Sequence, residues 1–456
     1  VPKMVNNKLV SSNETVQYLI NTFEITNVEQ AVPSSRVPKL QKVYEVTCNC
    51  DAIDLTIAIH EDAKELTNPQ EAPKYELLES PNDYNTAFAT DYALDLIGAK
   101  HAWDSSKGDS NTIIGISDGN YHYNHEELIG KVASADYTNA STYIAHGTAV
   151  AIAAAGNTNN GVGKSSIGYN CRLNLVGMNY NSVVEMSYAG ARVINLSLGA
   201  GYGSDVLKHA VRYARENGVS IVAAVGNDGE GLVNFPAAYD GVIGVSSVGK
   251  NGQVSSFSNY GKGVDIAAPG VGVLTAWELQ EMVSFSGTSV STAIVSASIA
   301  AELSNDPSLT SHDAEDLLLR YANESGKPGY DLIAGHGILS LGRLENRTNE
   351  NYSDPALVGY YFGESGVISG TVPFEVIIQN QGNTWQNNLN LEVEYLGSVF
   401  KFKVNNLAPS EIRTEKLYLQ ASDVDGFLQI DTRLISTTGT KDDRPENNMR
   451  ESAIRF

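Results

Sequence analysis

Between about residues 90 and 347 the chain repeats one pattern, a short apolar run rich in β-branched residues followed by a segment of helical periodicity. The runs Thr112-Ile113-Ile114-Gly115-Ile116, Leu173-Asn174-Leu175-Val176, Val193-Ile194-Asn195-Leu196, Val219-Ser220-Ile221-Val222-Ala223-Ala224 and Val242-Ile243-Gly244-Val245 read as strands buried on both faces. Such strands belong to a parallel sheet covered by helices on either side. One connector, Asp205 to Asn217, places Val206, Leu207, Ala210, Val211 and Ala214 on a single helical face. An α/β fold with three layers, αβα, and a mostly parallel central sheet is therefore expected.

The texture differs on either side of this region. From Val1 to about Pro81, short strand patterns such as Val43-Tyr44-Glu45-Val46 alternate with helical ones such as the acidic run Ile59 to Leu66, and Asn82-Asp83-Tyr84-Asn85-Thr86 reads as a linker. After Arg347 the period becomes two, as in Phe374-Glu375-Val376-Ile377-Ile378, Leu391-Glu392-Val393-Glu394-Tyr395 and Phe400-Lys401-Phe402-Lys403-Val404. That is a β-sandwich signature at immunoglobulin-like spacing. A chain of 456 residues exceeds what one core usually serves. Three domains are expected: a small α+β domain over 1–82, the α/β domain over 83–350 and an all-β sandwich over 351–456.

Lys+Arg 31 against Asp+Glu 53 gives a net charge of −22, a field that repels nucleic acid and anionic lipid. No run is long and apolar enough for a membrane span. A start at Val1 without a basic and apolar leader fits a form whose export signal has been removed, so a secreted or cell-surface protein is expected. Cys48, Cys50 and Cys171 offer no disulfide framework, and a pair one residue apart is poorly placed to bridge to itself. Cys171 reads as a small buried hydrophobe in a strand.

Four polar positions stand out against this apolar frame. Asp118 ends a strand run, at the carboxyl edge where open α/β sheets place ligands. His146-Gly147-Thr148 opens the apolar helical run Ala149 to Ala155, and Gly287-Thr288-Ser289 opens another, Val290 to Leu303. A histidine at a helix N-terminus is expected to be held neutral by the dipole and so to serve as a base. Serine needs an imidazole to take its proton and a carboxylate to orient that imidazole. Asp118, His146 and Ser289 supply these roles, in the chain order Asp, His, Ser.

Asp118, His146-Gly147-Thr148, Ser197-Leu198-Gly199, Gly226-Asn227 and Gly287-Thr288-Ser289 together resemble the ordered motifs of the subtilisin-like serine proteases, the subtilases. Weaker matches include Ala102-Trp103-Asp104, Phe257-Ser258 and Ala268-Pro269-Gly270. The resemblance implies a secreted endopeptidase acting on protein or peptide substrates, with Asp118, His146 and Ser289 catalytic and Asn227 donating to the oxyanion. It also implies that Ser197, Leu198 and Gly199 form an edge for the substrate backbone, and that Ala224 and Gly226 border the pocket for the residue before the cut. No cofactor is required. A structural calcium is the one metal it leaves room for, at Asn157 and Asn159 in Gly156-Asn157-Thr158-Asn159-Asn160-Gly161-Val162-Gly163, whose amide and carbonyl oxygens suit a hard cation although the loop holds no carboxylate.

Several positions depart from the family pattern. Gly119-Asn120 follows the Asp where Ser or Thr and then Gly are usual, removing a hydroxyl that would support the carboxylate. Val290-Ser291-Thr292-Ala293-Ile294 replaces Met-Ala-x-Pro-His, and Ala149 replaces a second histidine. His125-Glu126-Glu127-Leu128 matches the family's His-Pro-Asp-Leu, which makes His125 structural. By the same resemblance residues 1–82 correspond to a pro-domain acting as an intramolecular inhibitor, and 351–456 to an adhesion-type module. Two other readings stay open: a catalytically silent homologue used for binding or adhesion, and an esterolytic or amide-transferring enzyme on the same scaffold.

Overall fold

The computed structural model describes residues 2–5, 8–31, 40–63, 66, 69, 81–84, 91–135, 146–277, 282–362, 371–420, 427–436 and 441–455. The chain divides into two compact units, Val1–Leu77 and Leu78–Phe456.

The first unit carries β1 (Lys3–Val5), β2 (Lys8–Val10), α1 (Glu14–Thr22), β3 (Ile25–Gln30), β4 (Tyr44–Cys48) and α2 (Ala52–Asp62). Asn13 starts α1 by accepting the Val16 N–H on its side chain. Leu9, Leu19, Ile20, Ile25 and Leu55 form a small core. The acidic helical run therefore lies earlier than its pattern implied, ending at Asp62, and residues 64 and 65 lie outside the described residues. Cys48 and Cys50 are joined by a disulfide, against expectation. Cys48 ends β4, so the chain turns out of the extended form after it and brings the two Cα atoms to 5.3 Å, within disulfide reach.

The second unit opens with α3 (Tyr92–Ile97) and α4 (Ala99–Ser105), which lead into the sheet. There follow β5 (Ile113–Asp118), β6 (Val132–Ala135), α5 (His146–Ala155), β7 (Arg172–Gly177), α6 (Ser182–Tyr188), β8 (Ala191–Leu196), α7 (Asp205–Glu216), β9 (Ser220–Ala224), β10 (Ile243–Val248) and β11 (Ile266–Pro269). A hairpin, β12 (Val273–Ala276) and β13 (Met282–Phe285), precedes α8 (Thr288–Asn305), α9 (Ser311–Arg320) and α10 (Leu341–Glu345).

Seven strands form one sheet in the order β11-β10-β9-β8-β5-β7-β6, parallel at every pairing. Side chains alternate across it into two cores. Ile114, Ile116, Leu173, Leu175 and Val222 pack under α5 and α8, while Val176, Ile194, Leu196, Ile221 and Ala223 pack under α6 and α7. This is the three-layer αβα arrangement expected from the sequence. Two details differ from the pattern. Val206 is exposed, leaving Ala210, Val211 and Ala214 as the buried stripe of α7, because Val206 lies in the first turn, beyond the sheet's cover. Cys171 is fully buried but immediately precedes β7.

Asn82 and Asp83, expected in a linker, are fastened to the loop after α5: Asn159 Oδ1 accepts the Asn82 N–H at 2.9 Å, and Asp83 accepts from Asn160 N–H at 3.0 Å and Ser165 Oγ at 2.5 Å. Asp83 is buried, and these donors offset part of the cost of taking its carboxylate out of water. Asn85 and Thr86 lie outside the described residues.

The C-terminal region is all β: β14 (Pro355–Phe362), β15 (Thr371–Asn380), β16 (Leu389–Tyr395), β17 (Ser398–Val404), β18 (Ile412–Gln420), β19 (Phe427–Ser436) and β20 (Met449–Arg455). They form two antiparallel sheets, β14-β15-β18 and β17-β16-β19-β20. Phe374, Val376 and Ile378 from one meet Leu391, Val393 and Ile430 from the other in a common core. The region is tied to the α/β part by the buried Arg343, whose guanidinium donates to Ser410 Oγ at 3.1 Å, and by Glu324 N–H donating to Gln379 Oε1 at 3.0 Å.

Candidate active site

Three element ends converge here. β5 lies between β8 and β7, where the chain switches from building one half of the sheet to the other, and Asp118 is its last residue. His146 is the first residue of α5 and Ser289 the second of α8. Both helices are buried and cross the same face of the sheet, so their N-termini point at the carboxyl edge of the strands.

Asp118 is 4% exposed and accepts on Oδ1 from His146 Nδ1 at 2.7 Å and from its neighbour's backbone, Gly119 N–H, at 2.6 Å. Its second oxygen is buried without a hydrogen-bond partner among the described residues. The His146 ring packs edge-on against Phe285, 5.5 Å between centroids, and its side chain is 29% exposed. Burial pulls the imidazole down, but the hydrogen bond and charge of Asp118 together prevail and hold it above the ordinary histidine value. The carboxylate at contact distance, not the helix dipole, sets the direction of this shift.

Ser289 is 6% exposed, and its Oγ donates to Ser197 O at 3.4 Å. Among the described residues no hydrogen bond joins it to His146, a looseness common before substrate binds. Ser197 Oγ in turn donates to Ser289 O at 2.8 Å and accepts from Asn195 Nδ2 at 2.9 Å. These bonds clamp the strand end at 197 to the start of α8. Leu198 is half-buried and Gly199 exposed, and neither backbone is paired with a neighbouring strand among the described residues.

Asn227 is exposed just beyond β9. Its Oδ1 accepts two bonds from Thr288, the backbone N–H at 2.8 Å and Oγ1 at 3.0 Å. With its oxygen so engaged, the amide nitrogen is the group left to donate. The Ser289 N–H lies in the first turn of α8, where no intrahelical carbonyl takes it. Ala224 ends β9 and Gly226 follows it, both buried. His125 is structural, buried with its Nδ1 accepting the Glu127 N–H at 3.1 Å.

In the loop after α5, Asn157 Nδ2 donates to Glu126 O at 2.9 Å and Ile129 O at 3.1 Å, and its Oδ1 has no hydrogen-bond partner among the described residues. The sequence placed no carboxylate in this loop, yet the fold brings one in. Glu127 is buried against it, a Cβ on Gly163 would collide with its carboxyl group, and among the described residues only the Asn160 side chain approaches its oxygens as a donor. Burial pushes this carboxyl up to about 8, against the pull of the nearby Asn160 side chain. Among the described residues no three His, Cys, Asp or Glu gather as a metal cluster. A buried acidic side chain beside amide oxygens is nevertheless a donor set that fits a hard cation.

A sequence profile described as the subtilase family matches residues 109–337. The halolysin-like extracellular serine protease Nep of Natrialba magadii is 32% identical over 337 residues, covering 69% of this chain and 58% of that protein. Thermitase of Thermoactinomyces vulgaris is 38% identical over 229 residues, 47% of this chain and 81% of thermitase. The crystal structure of MycP1 with its N-terminal propeptide removed overlays with a TM-score of 0.50 at 25% identity, covering 55% of this chain and 94% of that one. The chain thus spans little more than half the length of the halolysin-like relative.

Proposed function

The chain belongs to the subtilase family, and on that premise we propose that it is a secreted serine endopeptidase in which Ser289, His146 and Asp118 form the catalytic set. The supporting observation is the Asp118–His146 pair, 2.7 Å apart, at the head of a helix beside the one that begins with Thr288-Ser289. Ser289 Oγ attacks the peptide carbonyl and His146 Nε2 takes its proton. Asp118 holds the other nitrogen, which fixes the tautomer and stabilises the imidazolium. The new oxyanion accepts from Asn227 Nδ2 and the Ser289 N–H. The C–N bond then breaks, His146 returns the proton to the leaving amine, and water hydrolyses the acyl-serine by the same steps. The edge Ser197-Leu198-Gly199 pairs with the substrate backbone, and Ala224 and Gly226 border the pocket beside it.

Labelling by a fluorophosphonate tests the assignment. Labelling of the native chain that disappears in Ser289→Ala is expected; labelling that persists in that variant, or never occurs, refutes it. The silent-homologue reading draws on Asp118 Oδ2, which has no partner among the described residues, and on the Ser289–Ser197 bond, and predicts no labelling.

We further propose that residues 1–82 act as an intramolecular inhibitor, so cleavage near residues 80 to 90 should raise activity, and full activity in the uncut chain contradicts this. The sandwich over 351–456 serves adhesion or binding rather than chemistry. Glu127 and Asn157 hold a structural calcium, with Asn159 bracing the loop through Asn82; calcium should raise the melting temperature, and Glu127→Gln should abolish the rise.

A further inference from the structure

We infer that the cleft between the α/β part and the sandwich docks the C-terminal end of an extended peptide, its terminal carboxylate held by Arg450 and its backbone paired along β14. The inference lies outside the catalytic reading and holds whether or not Ser289 cleaves peptides.

The cleft encloses about 560 Å³, within the range of small-ligand sites. It is lined by the turn 252–254, by residues of the loop 325–334, by Val358 to Tyr361 of β14 and by Arg450 of β20. Among the described strands β14 pairs with β15 alone, so it is an edge strand of its sheet. The outward backbone groups of such a strand are a template for one more. A Cβ on Gly359 would lie 3.7 Å from Gly326 N, so the loop roofs the strand and the two make a slot.

One end of the slot is closed. Val358 is passed over in the pairing of β14 with β15, Leu357 facing Ile378 and Gly359 facing Ile377. Its carbonyl instead accepts from Arg450 Nη1 at 3.1 Å, while Arg450 Nη2 donates to Asn251 O at 3.1 Å. A strand added along Gly359 to Tyr361 therefore meets the guanidinium on reaching Val358 and goes no further. A chain that ends there places its carboxylate on Arg450.

Charge favours the same ligand. Arg450 is half-buried over the Tyr360 ring, 5.2 Å from its centroid, and among the described residues no carboxylate pairs with it. A guanidinium carries five N–H donors, and two bonds to backbone oxygens leave donors for a ligand. Lys327 adds a second positive charge to the lining. The carboxylate in the lining, Asp331, is engaged by its own turn, accepting the Ile333 and Ala334 N–H groups on Oδ1, each at 2.7 Å. In a chain of net charge −22 this cationic recess is an exception, and it suits an anion. Tyr330, Leu332 and Ile333, each about half exposed, give the recess an apolar wall, which suits a peptide whose last side chain is apolar. Hydrolysis of a peptide bond leaves a free carboxylate on the acyl half, so the reaction proposed above is one source of such ends.

The test uses the full chain carrying Ser289→Ala, so that no probe is cleaved, and a fluorescein-labelled Thr-Val-Thr-Val-Thr-Leu peptide with a free C-terminus. Anisotropy titrations compare it with the same peptide amidated at its end, and with an amidated peptide in which Glu replaces the last Thr. The free-ended peptide should bind, and amidation should weaken it about 10–100-fold, the loss of a hydrogen bond to a charged group. Arg450→Met should weaken the free-ended peptide by the same factor and leave the amidated one unmoved. Hydrogen exchange should show the free-ended peptide slowing the amides of 359–361 and of the 325–334 loop. The assignment is overturned if no peptide binds, if amidation changes nothing, or if the Glu peptide binds as well as the free-ended one. Protection confined to the 197–199 edge overturns it too, by placing the peptide in the catalytic cleft. Where Arg450→Met does not fold, the three peptides and the exchange map on the Ser289→Ala chain still decide.

Discussion

On the proposed mechanism, Thr288→Val isolates the contact that aims Asn227 as oxyanion donor. Thr288 is fully buried, and its Oγ1 gives Asn227 Oδ1 one of the two bonds that fix the amide. Valine has nearly the same shape, so the change removes a donor without opening a cavity, and Oδ1 keeps the Thr288 N–H at 2.8 Å. A neutral hydrogen bond contributes about 0.5–1.5 kcal/mol net. If all of that is lost from transition-state stabilisation, kcat falls roughly two- to twelvefold, since about 1.36 kcal/mol is tenfold in rate. Removing the donor outright is worse; in subtilisin, a member of this family, loss of the oxyanion Asn lowers turnover by roughly 10²–10³. Steady-state kinetics on one good peptide should therefore show Thr288→Val well short of Asn227→Ala, with KM little changed. In the Asn227→Ala background, Thr288→Val should have no further effect on kcat. An undiminished effect in that background would mean that Thr288 acts elsewhere, and its aiming role would be refuted.

The raised His146 imidazole fixes the direction of the pH dependence. The base must be neutral, so activity should fall as pH drops through a value above the ordinary 6.5, and Asp118→Asn, leaving burial as the dominant influence, should move that acid limb downward; a pH–kcat profile of both proteins measures it. The same shift means that the Asp118–His146 pair stabilises the fold fully below pH 6.5 and less as pH rises through the raised value, so denaturant titrations should show native and Asp118→Asn proteins converging at alkaline pH. For the cysteines, a thiol reagent should find no free thiol in the native protein, two after mild reduction and a third only on unfolding, because Cys171 is buried and burial pushes its thiol up. A native protein with two reactive thiols would contradict the Cys48–Cys50 bridge.

What the sequence determined by itself was whatever repeats locally. Strands β5, β7, β8, β9 and β10 were legible because burial on two faces leaves uninterrupted apolar runs, and α5 and α8 because alanine-rich runs of helical length follow His146 and Ser289. Asp118 at a strand end and His146 and Ser289 at helix starts were readable for the same reason. The strands β18, β19 and β20 were not singled out. Charged and polar residues on their open faces dilute the period-two signal, as in Ile412-Arg413-Thr414-Glu415-Lys416.

Only the tertiary structure decided what depends on distance between remote parts of the chain. Glu127 and Asp83 reach the loop at 156–163 from positions that no local pattern links to it. The level of the His146 imidazole follows from a 2.7 Å contact that outweighs burial, and a helix dipole inferred from sequence carries no record of that contact. Asn234 meets Gly199 because the backbone pairings of Asn234 to Val225 and of Phe235 to Ala200 cross the carboxyl edge of the sheet. Periodicity records which side of an element is buried. Which side chains then meet is set by strand order and by the ends of helices, where contacts join residues tens of positions apart.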